Sequence, residues 1–135
     1  MNKKYQTEIK QPETREEYSG LVRRHNERLF SLCGKTPTAH IRTFGCQQNV
    51  SDSEKLAGML SEMGYAMTEE PLSADIVLFN TCAVRENAED RVFGNVGALK
   101  AAKEQNRDMI IVLCGCMTQQ PHIAKKLKTS YPYVD

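Results

Sequence analysis

The sequence has no run of apolar residues approaching the roughly 18 that a bilayer span requires. Its first residues, Met1 to Gln11, are charged and polar and lack the apolar stretch of a secretory signal. The chain therefore reads as a protein without a membrane segment, expected in the cytoplasm. It also lacks an excess of charge of either sign, since 18 basic and 17 acidic residues leave a net charge of +1. A main nucleic-acid-binding surface usually carries a basic surplus, so any RNA contact made here is expected to be auxiliary. Histidine is scarce: the three residues, at 25, 40 and 122, do not cluster with the cysteines. Zinc, a competitor for any cysteine site, would then need a fourth ligand or a water from elsewhere.

What is present is a 135-residue chain with 40% apolar content, enough for one core after a polar arm. The expected division is 1–37, an arm with an appended helix, and 38–135, one domain. Thr14 and Glu17 form a capping box before Tyr18, Leu21, Val22, His25, Leu29 and Leu32, which recur at helical spacing. Gly34 and Pro37 end that helix, placed at 14–33. From His40 onward strand and helix patterns alternate. A strand is expected at Ile41–Phe44, and a helix capped by Ser51 and Glu54 that buries Leu56, Met59, Leu60 and Met63. A brief strand over Tyr65–Thr68 follows, and Ile76–Phe79 and Met109–Leu113 are continuous apolar runs suited to central parallel strands. One long helix is expected between them, over 86–104, and a last helix over 119–129. The order points to an α/β fold with a small open, mainly parallel sheet of Rossmann-like or flavodoxin-like type and an extra N-terminal helix. At Tyr133-Val134-Asp135 the alternation calls for another strand, so that ending looks like a boundary within a longer protein.

Five cysteines, at 33, 46, 82, 114 and 116, form an odd set in a chain with an adequate core. In a reducing compartment they are ligands, catalytic groups or packing residues more often than disulfides. Cys46, Cys82 and Cys116 each follow an expected strand. An open parallel sheet gathers such positions at its carboxyl edge, where loops from neighbouring strands converge. Each is followed by a helix, whose positive end favours the metal-binding thiolate by about 0.3–1 kcal/mol. Three thiolates on a 4Fe-4S core would leave one iron open to a further species. The plainer reading, small packing residues at strand ends, stands beside this one. Cys114 is read as a strand-packing residue and Cys33 as incidental. Asn49, Asn80 and Arg85 are candidates to hydrogen-bond the cluster sulfurs or the turn backbones; both asparagines serve equally well as loop caps. Gly94-Asn-Val-Gly97 matches a nucleic-acid clamp motif but falls within a helical pattern, where close helix–sheet packing explains it better. Lys125, Lys126 and Lys128 read as a solvated helix face.

Three longer segments carry more information. Thr43-Phe-Gly-Cys-Gln-Gln-Asn49 with Asp52-Ser-Glu54, then Asn80-Thr-Cys-Ala-Val-Arg-Glu-Asn-Ala88, then Cys114-Gly-Cys-Met-Thr-Gln119 resemble, in order, the signature blocks of the N-terminal domain of radical SAM methylthiotransferases. The resemblance implies that Cys46, Cys82 and Cys116 bind an auxiliary 4Fe-4S cluster with one open iron. It further implies a radical SAM domain of the same polypeptide, holding a second 4Fe-4S cluster and S-adenosylmethionine, and a sulfur donor. Gln47, Gln48 and the Val-Arg-Glu-Asn-Ala run resemble the branch that adds a methylthio group to C2 of N6-isopentenyladenosine beside the tRNA anticodon. The alternatives are the branches acting on threonylcarbamoyl-adenosine tRNA or a ribosomal protein, or a non-catalytic α/β module that binds zinc, RNA or a partner. None of the five cysteines forms a C-x-x-x-C-x-x-C triplet, and no C-terminal RNA-binding domain is present. Under this resemblance the chain on its own is expected to be inactive.

Overall fold

The computed structural model describes residues 12–45, 47–81 and 88–135. A parallel sheet of four strands, β1 (Thr38–Thr43), β2 (Ala66–Met67), β3 (Ile76–Thr81) and β4 (Ile110–Gly115), runs in the order β2-β1-β3-β4. Around it lie the helices α1 (Arg15–Cys33), α2 (Gln47–Glu62), α3 (Ala88–Ala98), α4 (Lys100–Gln105) and α5 (Pro121–Ser130). The expected parallel α/β architecture with an additional first helix is what forms. Every residue of β3 is buried, which explains why its sequence shows no polar alternation. Val77 and Phe79 on one face join Val92, Val96, Ile111, Met117 and Ile123 in the larger core cluster. On the opposite face Ile76 packs with Ala39 and Leu60 of α2. The sheet is thus wound in both directions from β1 and β3, and the switch point falls between those two strands.

Several expectations are corrected in detail. The helix after β1 begins at Gln47, so Ser51 and Glu54 are not its cap but exposed residues of its interior. The resemblance to a capping box is accidental, because the polar run Gln47-Gln-Asn49 is already helical. The single helix expected over 86–104 is broken at Leu99, whose N–H donates to Val96 O three residues back. That tighter turn lets Val92, Val96 and Leu99 all stay buried. Gly94 and Gly97 do not serve helix–sheet packing: a Cβ added at Gly94 would meet nothing within 4 Å, and one added at Gly97 would meet only the Tyr131 ring, at 4.0 Å. No strand forms at residues 133–135, although Asp135 sits at the outer edge of β4. Its N–H donates to Ile111 O at 2.9 Å, and its carboxylate accepts from the Ile111 N–H at 3.0 Å and from Lys103 Nζ at 2.8 Å. Burial opposes ionisation of that carboxyl, but these bonds outweigh it and lower its pKa.

The capping box of α1 forms as read, with Thr14 Oγ1 accepting from Glu17 N and Gly34 closing the helix at φ 67°. The apolar stripe does not become its docking face, since Tyr18, Leu21, Leu29 and Leu32 are exposed. The helix instead docks through buried Asn26, whose Nδ2 donates to Met63 O at 2.9 Å. Gly64, at φ 93°, ends α2 there and leaves room for the Asn26 side chain. Asn26→Ala is expected to cost about 1–2 kcal/mol, because it leaves a part-buried carbonyl without that donor. Hydrogen exchange should show the loss as faster exchange in α1, with the amides of β3 changing far less.

Candidate metal centre

The strands β1, β3 and β4 end almost level. Thr43 is in register with Asn80, Asn80 with Cys114, and Thr81 with Gly115. In sequence Cys46 comes three residues after Thr43, Cys82 directly after Thr81, and Cys116 directly after Gly115. Cys46, Cys82 and Arg85 lie outside the described residues, as does the side chain of Cys116, whose backbone opens a 3-10 turn over Cys116–Gln119. That turn, and not a full α-helix, follows β4; Thr118 Oγ1 closes it by donating to Gly115 O at 2.8 Å. The helix terminus expected after Cys116 is therefore shorter than the one after Cys46, where α2 begins at once.

What the described residues bring together is a chain of polar groups along this edge. Asn80, 3% exposed, donates from Nδ2 to Asn49 O at 2.9 Å and to Ser53 Oγ at 3.0 Å. Asn49 Nδ2 donates to Thr81 O at 3.2 Å and lies 3.4 Å from Asn80 Oδ1. Ser53 Oγ is 2.6 Å from Thr43 Oγ1, and Thr81 Oγ1 donates to Cys114 O at 2.6 Å. The ladder itself continues past β1, with Phe44 N–H donating to Asn80 O at 2.7 Å. Among the described residues no buried side-chain polar atom is without a partner. Asn49 and Asn80, singled out from the sequence, are thus joined to each other. Thr43, Ser53 and Thr81 are not among the candidates read from the sequence, although each falls within one of the three signature segments.

Two glycines shape the edge. Gly45, just before Cys46, has φ 140°. Gly115, just before Cys116, has φ 98° and ψ −177°, and a Cβ built on it would lie 2.1 Å from Thr81 O. The β4 backbone here approaches that of β3 more closely than any side chain allows. Cys114 lies within β4, half-buried, and burial together with the Asp52 charge pushes its thiol pKa up. Cys33 is exposed at the other end of the sheet. There it lines a cleft of about 540 Å³ with His25, Leu29, Tyr65 and Ile110, between α1 and the strand starts. His40 Nδ1 lies 2.9 Å from Thr68 O. Among the described residues no three His, Cys, Asp or Glu side chains form a metal-holding group, and no helix is long and apolar enough to cross a membrane.

The fold defines the class first: a doubly wound parallel α/β domain, a class in which ligands commonly bind outside the carboxyl ends of the strands at the switch point. Comparison with known proteins then narrows it. Residues 38–135 match the model of a family described as uncharacterized protein family UPF0004, and the chain belongs to that family. The chain is 47% identical over 127 residues to a tRNA-2-methylthio-N(6)-dimethylallyladenosine synthase of Clostridioides difficile, an alignment covering 94% of this chain and 27% of the relative. Proteins of the same description from Caldicellulosiruptor saccharolyticus and Clostridium botulinum are 51% and 59% identical, over 84% and 70% of this chain and 24% and 21% of their own lengths. The chain is therefore homologous to part of these enzymes and spans about a quarter of their length. The alignment with the C. difficile protein is longer than 38–135 and so takes in α1 as well.

Proposed function

We propose that the chain is the auxiliary cluster domain of a tRNA methylthiotransferase, with Cys46, Cys82 and Cys116 holding a 4Fe-4S cluster at the carboxyl edge. In this reading residues 38–135 are the cluster domain and 1–37 an arm carrying α1. The observation that supports the reading is the level ending of β1, β3 and β4 beside the switch point, with Cys46, Cys82 and Cys116 following those strand ends within three residues in the sequence. The donor set fits the group, because three thiolates complete three of the four irons and leave the fourth open. When bound, such a cluster supplies an open iron able to carry the sulfur that is methylated and transferred.

The chain's own residues have definite parts in this reading. Gly45 and Gly115, each directly before a cysteine in the sequence, have φ of 140° and 98°. The start of α2 directly after Cys46 presents backbone N–H groups that favour a thiolate at that position. Arg85 adds a positive charge three residues beyond Cys82. Cys114, half-buried within β4, is in this reading a packing residue. Asn49 and Asn80 brace the edge by their mutual bonds.

The names of the relatives point to dimethylallyladenosine in tRNA as the substrate of the whole enzyme. The rest of that enzyme, in the cytoplasm, would supply the radical SAM domain with its own 4Fe-4S cluster and S-adenosylmethionine, and would make the main contacts to tRNA. Anaerobic reconstitution of the chain with iron and sulfide is expected to give about four of each per molecule, with broad visible absorption. The same chain offered zinc and iron together should retain iron in this form. A chain that took up zinc alone would refute the reading.

A further inference from the structure

We propose that Ser53 and Thr81 are positioning residues that set the spacing of the three cysteine-bearing chain segments before any cluster arrives. The inference rests on reading the carboxyl edge as a cluster site and goes beyond the choice of ligands. Thr81, fully buried, joins three elements at once. Its hydroxyl donates to Cys114 O of β4, its carbonyl accepts from Asn49 Nδ2 of α2, and its own backbone is what Gly115 closes upon. Ser53 does the same on the other side, with Thr43 Oγ1 of β1 at 2.6 Å and Asn80 Nδ2 of β3 at 3.0 Å. Together they link the end of β1, the first two turns of α2 and the ends of β3 and β4, which are the segments leading into Cys46, Cys82 and Cys116.

Neither hydroxyl is needed by the ladder, since β1, β3 and β4 already pair through backbone bonds over five and six residue pairs. An apolar side chain of the same size at position 81 would fill the same space. The hydroxyls add direction: each fixes one strand end against its neighbour at a single distance. Three thiolates must meet one rigid cluster, so an error in that distance falls on the iron–sulfur bonds. Groups that orient metal ligands without touching the metal commonly change affinity by about 10- to 100-fold when removed.

The test is the rate at which an iron chelator strips the anaerobically reconstituted chain, measured beside its thermal unfolding midpoint. Thr81→Val and Ser53→Ala should remain folded and lose iron about 10- to 100-fold faster than the unaltered chain. Thr81→Ser, which keeps the hydroxyl, should restore slow release. Leu60→Ala, in the core cluster near the strand starts, provides a variant destabilised elsewhere and should release iron at the unaltered rate while folded. If Thr81→Val and Ser53→Ala release iron no faster than Leu60→Ala, the inference is overturned and the cluster reading stands. If the unaltered chain binds no cluster, both fall.

Discussion

Replacing Gly115 by alanine should cost about 4 kcal/mol of folding stability and shift the urea midpoint to well under that of the unaltered chain. The backbone there, at φ 98° and ψ −177°, occupies a region open essentially to glycine, where another residue pays about 1–3 kcal/mol. The added methyl would also lie 2.1 Å from Thr81 O and 2.8 Å from Thr81 N. Both are backbone atoms of the last pair of the β3–β4 ladder, with Thr81 fully buried, so relief requires prising the end of β4 from β3, a distortion of the size that overpacking usually imposes. Against a total stability of about 5–15 kcal/mol the loss is large. Gly64→Ala is the informative companion. It has a similar φ of 93°, but its Cβ would meet the Asn26 side chain at 3.3 Å, so about 1–2 kcal/mol is expected. Circular dichroism during urea titration measures both, and equal midpoints for the two variants would contradict the close approach of β4 to β3.

The same contrast separates what the sequence disclosed from what it concealed. Ile76–Phe79 was legible as a buried parallel strand because burial on both faces removes polar residues altogether. Met109–Leu113 is a parallel strand too, but not the central one its apolar run suggested, since β4 lies at the edge of the described sheet with Ile110 exposed. The capping box at Thr14 was legible because both its partners lie within one turn. The true start of α2 was not, since Gln47, Gln48 and Asn49 carry no apolar periodicity and a false capping box follows at Ser51. The docking of α1 was hidden for another reason. Asn26 meets Met63 O across 37 residues of sequence, and nothing local marks one asparagine as buried when an apolar stripe runs beside it. The polar chain through Ser53, Asn80 and Thr81 is likewise made of bonds between residues 10 to 33 apart. For the candidate site, the placement of cysteines after strands was readable, whereas the hydroxyls bracing those strand ends became visible only when the register was known.

The cysteines divide into two groups with opposite expected behaviour. If the proposed cluster reading holds, loss of a thiolate at position 46, 82 or 116 would remove one of three protein bonds to the cluster, and little cluster is expected to remain. Loss of Cys33 removes an exposed residue beside the cleft at the opposite edge. Loss of Cys114 removes a half-buried thiol of β4 and should cost stability, on the order of 1 kcal/mol for a small packing group, without cost to iron content. The unfolding midpoints of the five alanine variants should therefore not parallel their capacity to bind iron, which distinguishes ligation from packing.

The most direct measurement is iron and acid-labile sulfide per chain in the unaltered protein and the five single Cys→Ala variants, all reconstituted together without oxygen. The account predicts about four irons and four sulfides for the unaltered chain, Cys33→Ala and Cys114→Ala. It predicts little or no cluster for Cys46→Ala, Cys82→Ala and Cys116→Ala. A full cluster retained by Cys82→Ala, or lost by Cys114→Ala in a chain that is still folded, would contradict it.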